Sequence, residues 1–417
     1  MTPPKFYYKC ITCDKEYTGA RIMYLCDECQ TKNNPANPPA GVLKTLYHYD
    51  LLTGKEKSKN IRKKLNNSNF IQLLPIDSVA SLPTLRIGKT PLYKIDKLND
   101  RTLSFELFLK DDSQNPTFSF KDRASQIVSA FAKEHDIDTI AAASTGNAGS
   151  SLAGICAAQR QKAIIFVPST APRAKLTQIA MYGATVIPVE GTYDDAFDLS
   201  IEATKRFGWY NRNTAFNPLT IEGKKTVSFE LFNQMNDLPD RIFVPVGDGV
   251  ILSGVYKGYE DLYELGLVER IPVIVAVQAE GSCNIVRNLD TDSFTSKSGR
   301  TFADSISVDI PRNYYMAKSF IRQYHGESVI VSDDEIRQAS GVLSRNTGIF
   351  SEPAAAAAFA GMLKYMESGE IPAGSGNVVL LTGCGLKDID AVQPLVNIPG
   401  AVKPVVQEVE RLLYGRK

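Results

Sequence analysis

An α/β protein built on parallel sheets is the fold class that the sequence predicts, on three observations. Six short segments are apolar from end to end instead of alternating, as strands buried on both faces are. Helical stretches separate them, which is the pattern of parallel layers. Turns rich in glycine and hydroxyl residues follow several of them, where open α/β sheets keep their functional groups. The chain has 417 residues, 43% of them hydrophobic and 22% charged. That is ordinary globular composition at a length for roughly two or three domains.

The elements follow in order. The start, MTPPKFYYK, has no apolar core of a signal peptide, and the apolar stretch 354–363 is too short to span a bilayer. A soluble cytoplasmic protein is expected. Cys10 and Cys13 form one CxxC knuckle and Cys26 and Cys29 another, with twelve residues between them. Four thiolates so spaced suit one structural zinc in a ribbon, with a short hairpin across Tyr17 and Ile22–Leu25; two disulfides are the alternative. Cys156, Cys283 and Cys384 lie in apolar or glycine-rich surroundings and read as inert thiols. Residues 31–41, TKNNPANPPAG, read as a linker, and 55–67, KEKSKNIRKKLNN, as a solvated helix. Its basic run does not make a nucleic-acid binder of a chain with 47 basic and 46 acidic residues.

The stretch PTFSFKDRAS (116–125) then places Lys121 behind two phenylalanines. Alternation predicts Phe118 and Phe120 buried at a strand end that runs into a helix, with Lys121 on the opposite side. The apolar runs follow at 138–144, 163–168, 184–190, 241–247, 272–278 and 377–383.

Three of their loops carry chemistry. Ser144-Thr145-Gly146-Asn147-Ala148-Gly149 opens a helix, where hydroxyls and free N–H groups suit a carboxylate, or serve only as a cap. Gly247-Asp248-Gly249 lets backbone approach a phosphate, without the GxGxxG spacing of a dinucleotide site. Thr382 puts a hydroxyl at a strand end, for a ring nitrogen or for a turn. Gly88-Lys89-Thr90 lacks the upstream glycine of a phosphate-binding P-loop, since Thr84 stands there. A lysine, an anion loop, a phosphate loop and a strand-end hydroxyl together suit pyridoxal phosphate held as a Schiff base. The three histidines lie outside these loops, so a lysine that moves protons would serve in their place.

With these residues in view, the sequence resembles the threonine synthase family over nearly its whole length. GKTPLY (88–93), SFKDR (119–123), STGNAG (144–149), VEGTYDDA (189–196), NP with IEGKKT (217–226), EPAAAAA (352–358) and TGCGLKD (382–388) carry the resemblance. It implies the fold-type II architecture of pyridoxal-phosphate enzymes, similar to the tryptophan synthase β chain: two parallel-sheet α/β domains behind a small zinc ribbon. Residues 1–31 would be the ribbon and 32–80 a linker and extension. Residues 81–121 with 221–417 would form the larger, cofactor-binding domain, and 122–220 the smaller one.

The resemblance also implies roles. Lys121 would be the Schiff-base lysine and Asn147 the partner of the cofactor's phenolic oxygen. Gly247, Asp248, Gly249, Val250 and Ile251 would hold its phosphate, and Thr382 its ring nitrogen. A neutral hydroxyl there suits elimination better than transamination. Ser144 and Thr145 would grip the substrate carboxylate. The implied activity is a lyase reaction on O-phosphohomoserine giving threonine and phosphate, in a homodimer with no nucleic-acid or membrane partner.

One departure bears on the substrate. Four positions that resemble the family's contacts to the substrate phosphate carry Ala148, Ala215, Thr220 and Asp248, where polar or cationic residues are usual. O-phosphohomoserine is then expected to be a poor substrate, or its phosphate to be held by residues that the motifs do not identify. A lyase or synthase for a neutral or cationic amino acid is the alternative, and a non-catalytic binding protein on the same fold is the alternative of another class.

Overall fold

All six apolar runs become strands, within a residue or two of the expected bounds. The computed structural model describes residues 4–53 and 58–415. Along the chain the strands are β1 (Phe6–Cys10), β2 (Glu16–Thr18), β3 (Leu43–Tyr47), β4 (Leu92–Leu98), β5 (Arg101–Asp111), β6 (Thr139–Ala143), β7 (Lys162–Pro168), β8 (Thr185–Val189), β9 (Tyr210–Asn211), β10 (Arg241–Pro245), β11 (Val273–Ala279), β12 (Glu327–Val331) and β13 (Gly376–Leu381). Among the described residues they form a small sheet β2-β1-β3, a parallel sheet β8-β7-β6-β9 and a six-stranded sheet β12-β11-β10-β13-β5-β4.

In the six-stranded sheet only β4 runs antiparallel, paired to β5. Neither was among the apolar runs. LYKIDKL and the start of RTLSFELFLKD alternate and carry charge, and β4 is an edge whose Lys94 and Lys97 face solvent. Charged edges of this kind discourage pairing with other chains. The inner strands β10, β11 and β13 are buried and pack against the alanine-rich helix Pro353–Glu367. No described helix is long and apolar enough to cross a membrane.

Three expectations near the N-terminus need correction. The ribbon hairpin is β1–β2, and of Ile22–Leu25 only Leu25 makes a bridge, to Val42. Leu43–Tyr47, within the expected linker and extension, pairs antiparallel with all of β1. Its alternate residues Leu43, Thr45 and Tyr47 are buried, which is what keeps it in the sheet. The charged helix is Ser58–Asn67, and it is not solvated all round: Ile61 and Leu65 are buried. Residues 55–57 of that expectation lie outside the described ones.

Tyrosines fasten the ribbon and β3 to the rest. Tyr24 stacks on Phe216 and accepts the Asn211 N–H at 2.8 Å. Tyr47 donates to Glu222 at 2.6 Å and Tyr49 to Asp261 at 2.5 Å. Lys44 pairs with Glu260 at 2.6 Å. Lys225 lies in the same buried cluster, paired with Glu222 and, at 2.6 Å, with Asp261.

A second buried network explains GKTP and the arginine of SFKDR. Arg123 Nε donates to Asp112 at 2.5 Å, Nη1 to Glu230 at 2.7 Å, and Nη2 to both carboxylates at 2.9 Å. Lys110 joins Glu230 at 2.8 Å, as does the Lys89 N–H at 2.7 Å. Gly88 sits at φ +72°, and a β-carbon there would run into the Glu230 carboxylate. The glycine-lysine-threonine turn thus serves the partly buried Glu230 carboxylate.

Candidate active site

Lys121 is the first residue of the helix Lys121–Glu134, and the chain before it is not a strand end. Residues 118–120 are stitched to the loop after β13. The Phe120 N–H donates to the Thr382 carbonyl at 2.8 Å, Ser119 bridges Gly383, and the Phe118 carbonyl accepts the Cys384 N–H at 3.1 Å. Phe118 has φ +68° and is 50% exposed, against the expectation that it is buried; Phe120 is fully buried. The turn needed to reach the Thr382 loop breaks the alternation and swings Phe118 outward. It also brings Lys121 next to Thr382, which is itself buried. Burial pulls the Lys121 amine below the ordinary lysine range, and Arg212 acts the same way, while Glu352 and Asp248 oppose it. Desolvation of this kind favours the neutral, nucleophilic amine.

Glu352 is the residue that sequence reasoning missed. It stands directly ahead of the helix Pro353–Glu367, and its own N–H donates to the Gly383 carbonyl at 3.0 Å. A β-carbon at Gly383 would collide with the Glu352 carboxyl, so the glycine permits this approach. Asn147 Nδ2 donates to both Glu352 oxygens, at 2.8 and 3.1 Å. Asn147 begins the helix after β6, so this contact joins the four-stranded sheet's loops to the six-stranded sheet's. Burial raises the Glu352 carboxyl's affinity for a proton; Asn147 and Lys121 work against that. Neutralising it by Glu352→Gln removes a charge that helps Lys121 stay protonated. The acid limb for addition of pyridoxal phosphate to the Lys121 amine, followed by absorbance in the apoprotein, should therefore move to lower pH. An unmoved midpoint would count against the coupling.

The remaining predicted residues take mixed places. Ser144 and Thr145 are partly open between β6 and the Asn147 helix, and Ser144 Oγ accepts the Gly146 N–H at 3.2 Å. Ala148 is partly buried beside them. Gly247 to Gly249 lead into the helix Val250–Glu264, with Val250 and Ile251 in its first turn. Gly249 has φ +85°, and a β-carbon there would lie 2.9 Å from the Ala317 side chain. Asp248 Oδ1 accepts the Arg312 N–H at 3.0 Å and its carbonyl the Asn313 N–H at 3.1 Å. Thr220 is fully buried, with its hydroxyl donating to the Asn217 carbonyl at 2.8 Å. Ala215 is buried at φ +64°.

These residues fit pyridoxal phosphate. Burial lowers the pKa of the Lys121 amine, Thr382 follows β13 beside the Lys121 turn, and the Gly247–Gly249 turn opens a helix N-terminus of the kind that suits an anion. The ribbon cysteines fit a metal ion. The four Sγ atoms lie within 4.8 Å of one another, with Cys10–Cys29 at 3.8 Å and Cys13–Cys26 at 3.7 Å. A tetrahedral zinc with ~2.3 Å bonds to sulfur sets its ligands about 3.8 Å apart, whereas a disulfide needs ~2.05 Å.

Comparison with known proteins agrees with this geometry. The family described as pyridoxal-phosphate dependent enzymes matches residues 83–383. The threonine synthase of Methanocaldococcus jannaschii is 34% identical over 411 residues, 97% of this chain and 98% of that one. That of Methanosarcina acetivorans is 32% identical over 99% of both chains. Among solved structures, processed threonine deaminase isoform 2 from Solanum lycopersicum has a TM-score of 0.65 at 24% identity, covering 76% of this chain and 85% of that one. Diaminopropionate ammonia lyase from Escherichia coli has 0.64 at 18%, covering 76% and 89%. At these identities the solved structures bear on the fold alone.

Proposed function

The chain belongs to the threonine synthase family of pyridoxal-phosphate-dependent enzymes, and on that premise we propose that it converts O-phosphohomoserine and water to threonine and phosphate. The observation that carries this reading is the likeness to threonine synthases over 97–99% of the chain. The reaction is redox-neutral: the γ-carbon loses its phosphate oxygen and gains a proton, the β-carbon gives up a proton and takes the hydroxyl of water, and water's remaining proton leaves with phosphate. When bound, pyridoxal phosphate supplies an aldehyde for the amino group and an electron-withdrawing ring that acidifies the α-proton.

The chain's own residues do the rest. Lys121, its amine shifted toward the neutral form by burial, would anchor the cofactor and take up and return the α-proton. Thr382 offers the ring nitrogen a neutral hydroxyl. Asn147, oriented by Glu352, would meet the phenolic oxygen of the bound cofactor. Ser144 and Thr145 hold the substrate carboxylate at a helix N-terminus. Gly247, Asp248, Gly249, Val250 and Ile251 hold the cofactor's phosphate through backbone. The test is direct. Purified protein loaded with cofactor is given O-phosphohomoserine, and threonine and phosphate are measured. Phosphoserine, serine, threonine and diamino acids are run beside it. Ala148, Ala215 and Thr220 favour a second reading, a related lyase for a different amino acid. Turnover of one of these with no threonine formed would establish it.

The ribbon's part in the proposal is one structural zinc on Cys10, Cys13, Cys26 and Cys29. Elemental analysis of protein purified without added metal should find about one zinc per chain. Chelation should lower the melting temperature and leave the cofactor absorbance in place, because four thiolates leave no position for chemistry. Metal-free protein with these thiols oxidised in pairs would overturn it.

A further inference from the structure

Two buried basic side chains whose charge acts on or with Lys121 each leave a nitrogen without a partner among the described residues. Lys224 ends the helix Leu219–Lys224, and Arg212 follows β9; both are fully buried. Among the described residues, Lys224 Nζ and Arg212 Nη2 have no hydrogen-bond partner. The rest of the Arg212 fork is fixed, with Nε donating to Ser125 at 3.2 Å and Nη1 to Thr214 at 2.9 Å. Buried cations elsewhere in this protein are paired: Arg123 meets Asp112 and Glu230, and Lys225 meets Glu222 and Asp261. An uncompensated buried charge is among the costliest things a core can hold. Burial pulls the Lys224 amine well below its ordinary range, with Lys121 and Arg212 acting the same way and Asp248 alone opposing. Burial likewise brings Arg212 down to about 10.

Their position selects the missing anion. Lys224 stands four residues after Thr220, on the same helix face. Arg212 is bonded to Thr214, the neighbour of Ala215. The charge of Asp248 acts on Lys224. Ala215, Thr220 and Asp248 are three of the four positions that resemble the family's contacts to substrate phosphate. On the reading above, the cofactor's phosphate would occupy the glycine turn instead.

We propose that Arg212 Nη2 and Lys224 Nζ hold the phosphate ester of the amino-acid substrate, in place of the polar side chains absent at Ala148, Ala215 and Thr220. The proposal rests on the functional reading above and names its substrate class: amino acids whose leaving group is a phosphate dianion, which matches two cations in charge and accepts from both. Asp248 does not spoil the site. Its carboxylate already accepts the Arg312 N–H, and its charge acts on Lys121, Lys224 and Arg312.

Inorganic phosphate is the probe, on cofactor-loaded protein. It should raise the melting temperature of the unaltered enzyme. Lys224→Met should melt higher than the unaltered enzyme without phosphate, since a buried amine with no partner is gone, and should lose the phosphate-induced rise. Arg212→Gln should lose that rise too. Both should raise KM for O-phosphohomoserine by roughly 10- to 100-fold, what one charge-assisted hydrogen bond is worth. The apoprotein's affinity for pyridoxal phosphate, titrated by fluorescence, should not change. Weakened cofactor affinity with an intact phosphate response would assign the cations to the cofactor and overturn the proposal. So would a lower melting temperature for Lys224→Met with that response intact. If the unaltered enzyme makes no threonine but its phosphate response depends on both residues, the activity reading fails and the anion site stands. If it makes threonine and KM is unmoved in both variants, the activity stands and the site fails.

Discussion

Replacing Lys121 by alanine is expected to cut turnover by on the order of 10²–10⁴-fold, the span of a lost general acid–base group, with little change in stability. Among the described residues the Lys121 amine makes no hydrogen bond or ion pair, so no structural contact goes with it. Its desolvation opposes the charged form, so removal relieves a cost rather than creating one. The turn that positions it is held by backbone bonds at Phe118 and Phe120, which alanine at 121 leaves in place. The cofactor's visible absorbance should vanish with the amine. Borohydride reduction of the unaltered holoenzyme and peptide mapping should place the label on Lys121. Lys224 and Lys387 are the rivals in reach of Glu352, Lys121 or Asp248, and a label on either would overturn the assignment, as would full turnover by Lys121→Ala.

Arg123→Ala should be the most destabilising single change in the neighbouring core, by about 3–5 kcal/mol, the cost of breaking a buried ion pair from one side. It would leave Asp112 and Glu230 facing each other with Lys110 as their remaining cation. Arg123→Lys keeps the charge but cannot reproduce four donor contacts to two carboxylates, so an intermediate loss is expected. The acid dependence gives an independent check. Against the penalty of burial, Arg123 and Lys110 hold the Glu230 carboxyl down at about 2, below the ordinary 4.5. A group depressed in this way stabilises the fold fully above its unfolded value and loses that contribution as pH falls toward the folded one. Urea unfolding of the unaltered protein should therefore weaken between about pH 4.5 and 2, and Arg123→Ala should show a flatter dependence there. Equal slopes would contradict the electrostatic account.

What the sequence makes legible follows from how far each signal reaches. A strand buried on both faces, such as β6 or β10, announces itself in its own residues. A half-exposed hairpin such as β4–β5 does not, because its alternation is diluted by charge. Loop motifs after β6, β10 and β13 place Asn147, Gly249 and Thr382 because a strand end and a helix start are both local. Glu352 escaped because its meaning is a contact with Asn147 across two sheets. A carboxylate directly ahead of a proline-capped alanine helix was the available signal. Lys224 and Lys225 are neighbours in sequence and alike in type. One is paired and the other is not, and only the positions of Glu222 and Asp261 distinguish them. Phe118 was misplaced because a turn that serves the site overrides periodicity.

The tyrosines that tie β1–β3 to the rest make the four-cysteine module something other than an appendage. Tyr47 and Tyr49 spend their hydroxyls on Glu222 and Asp261, the same acids that neutralise Lys225, and Tyr24 caps the Asn211 N–H one residue before Arg212. Cutting the module away would strand charges in a dry interior on one side and free the backbone under Arg212 on the other. Melting should therefore be cooperative across the boundary, with one transition in a scanning calorimeter and hydrogen exchange in β3 as slow as in the helices it braces. The ribbon would then behave thermodynamically as part of the catalytic body, and loss of its fold would be felt at Arg212.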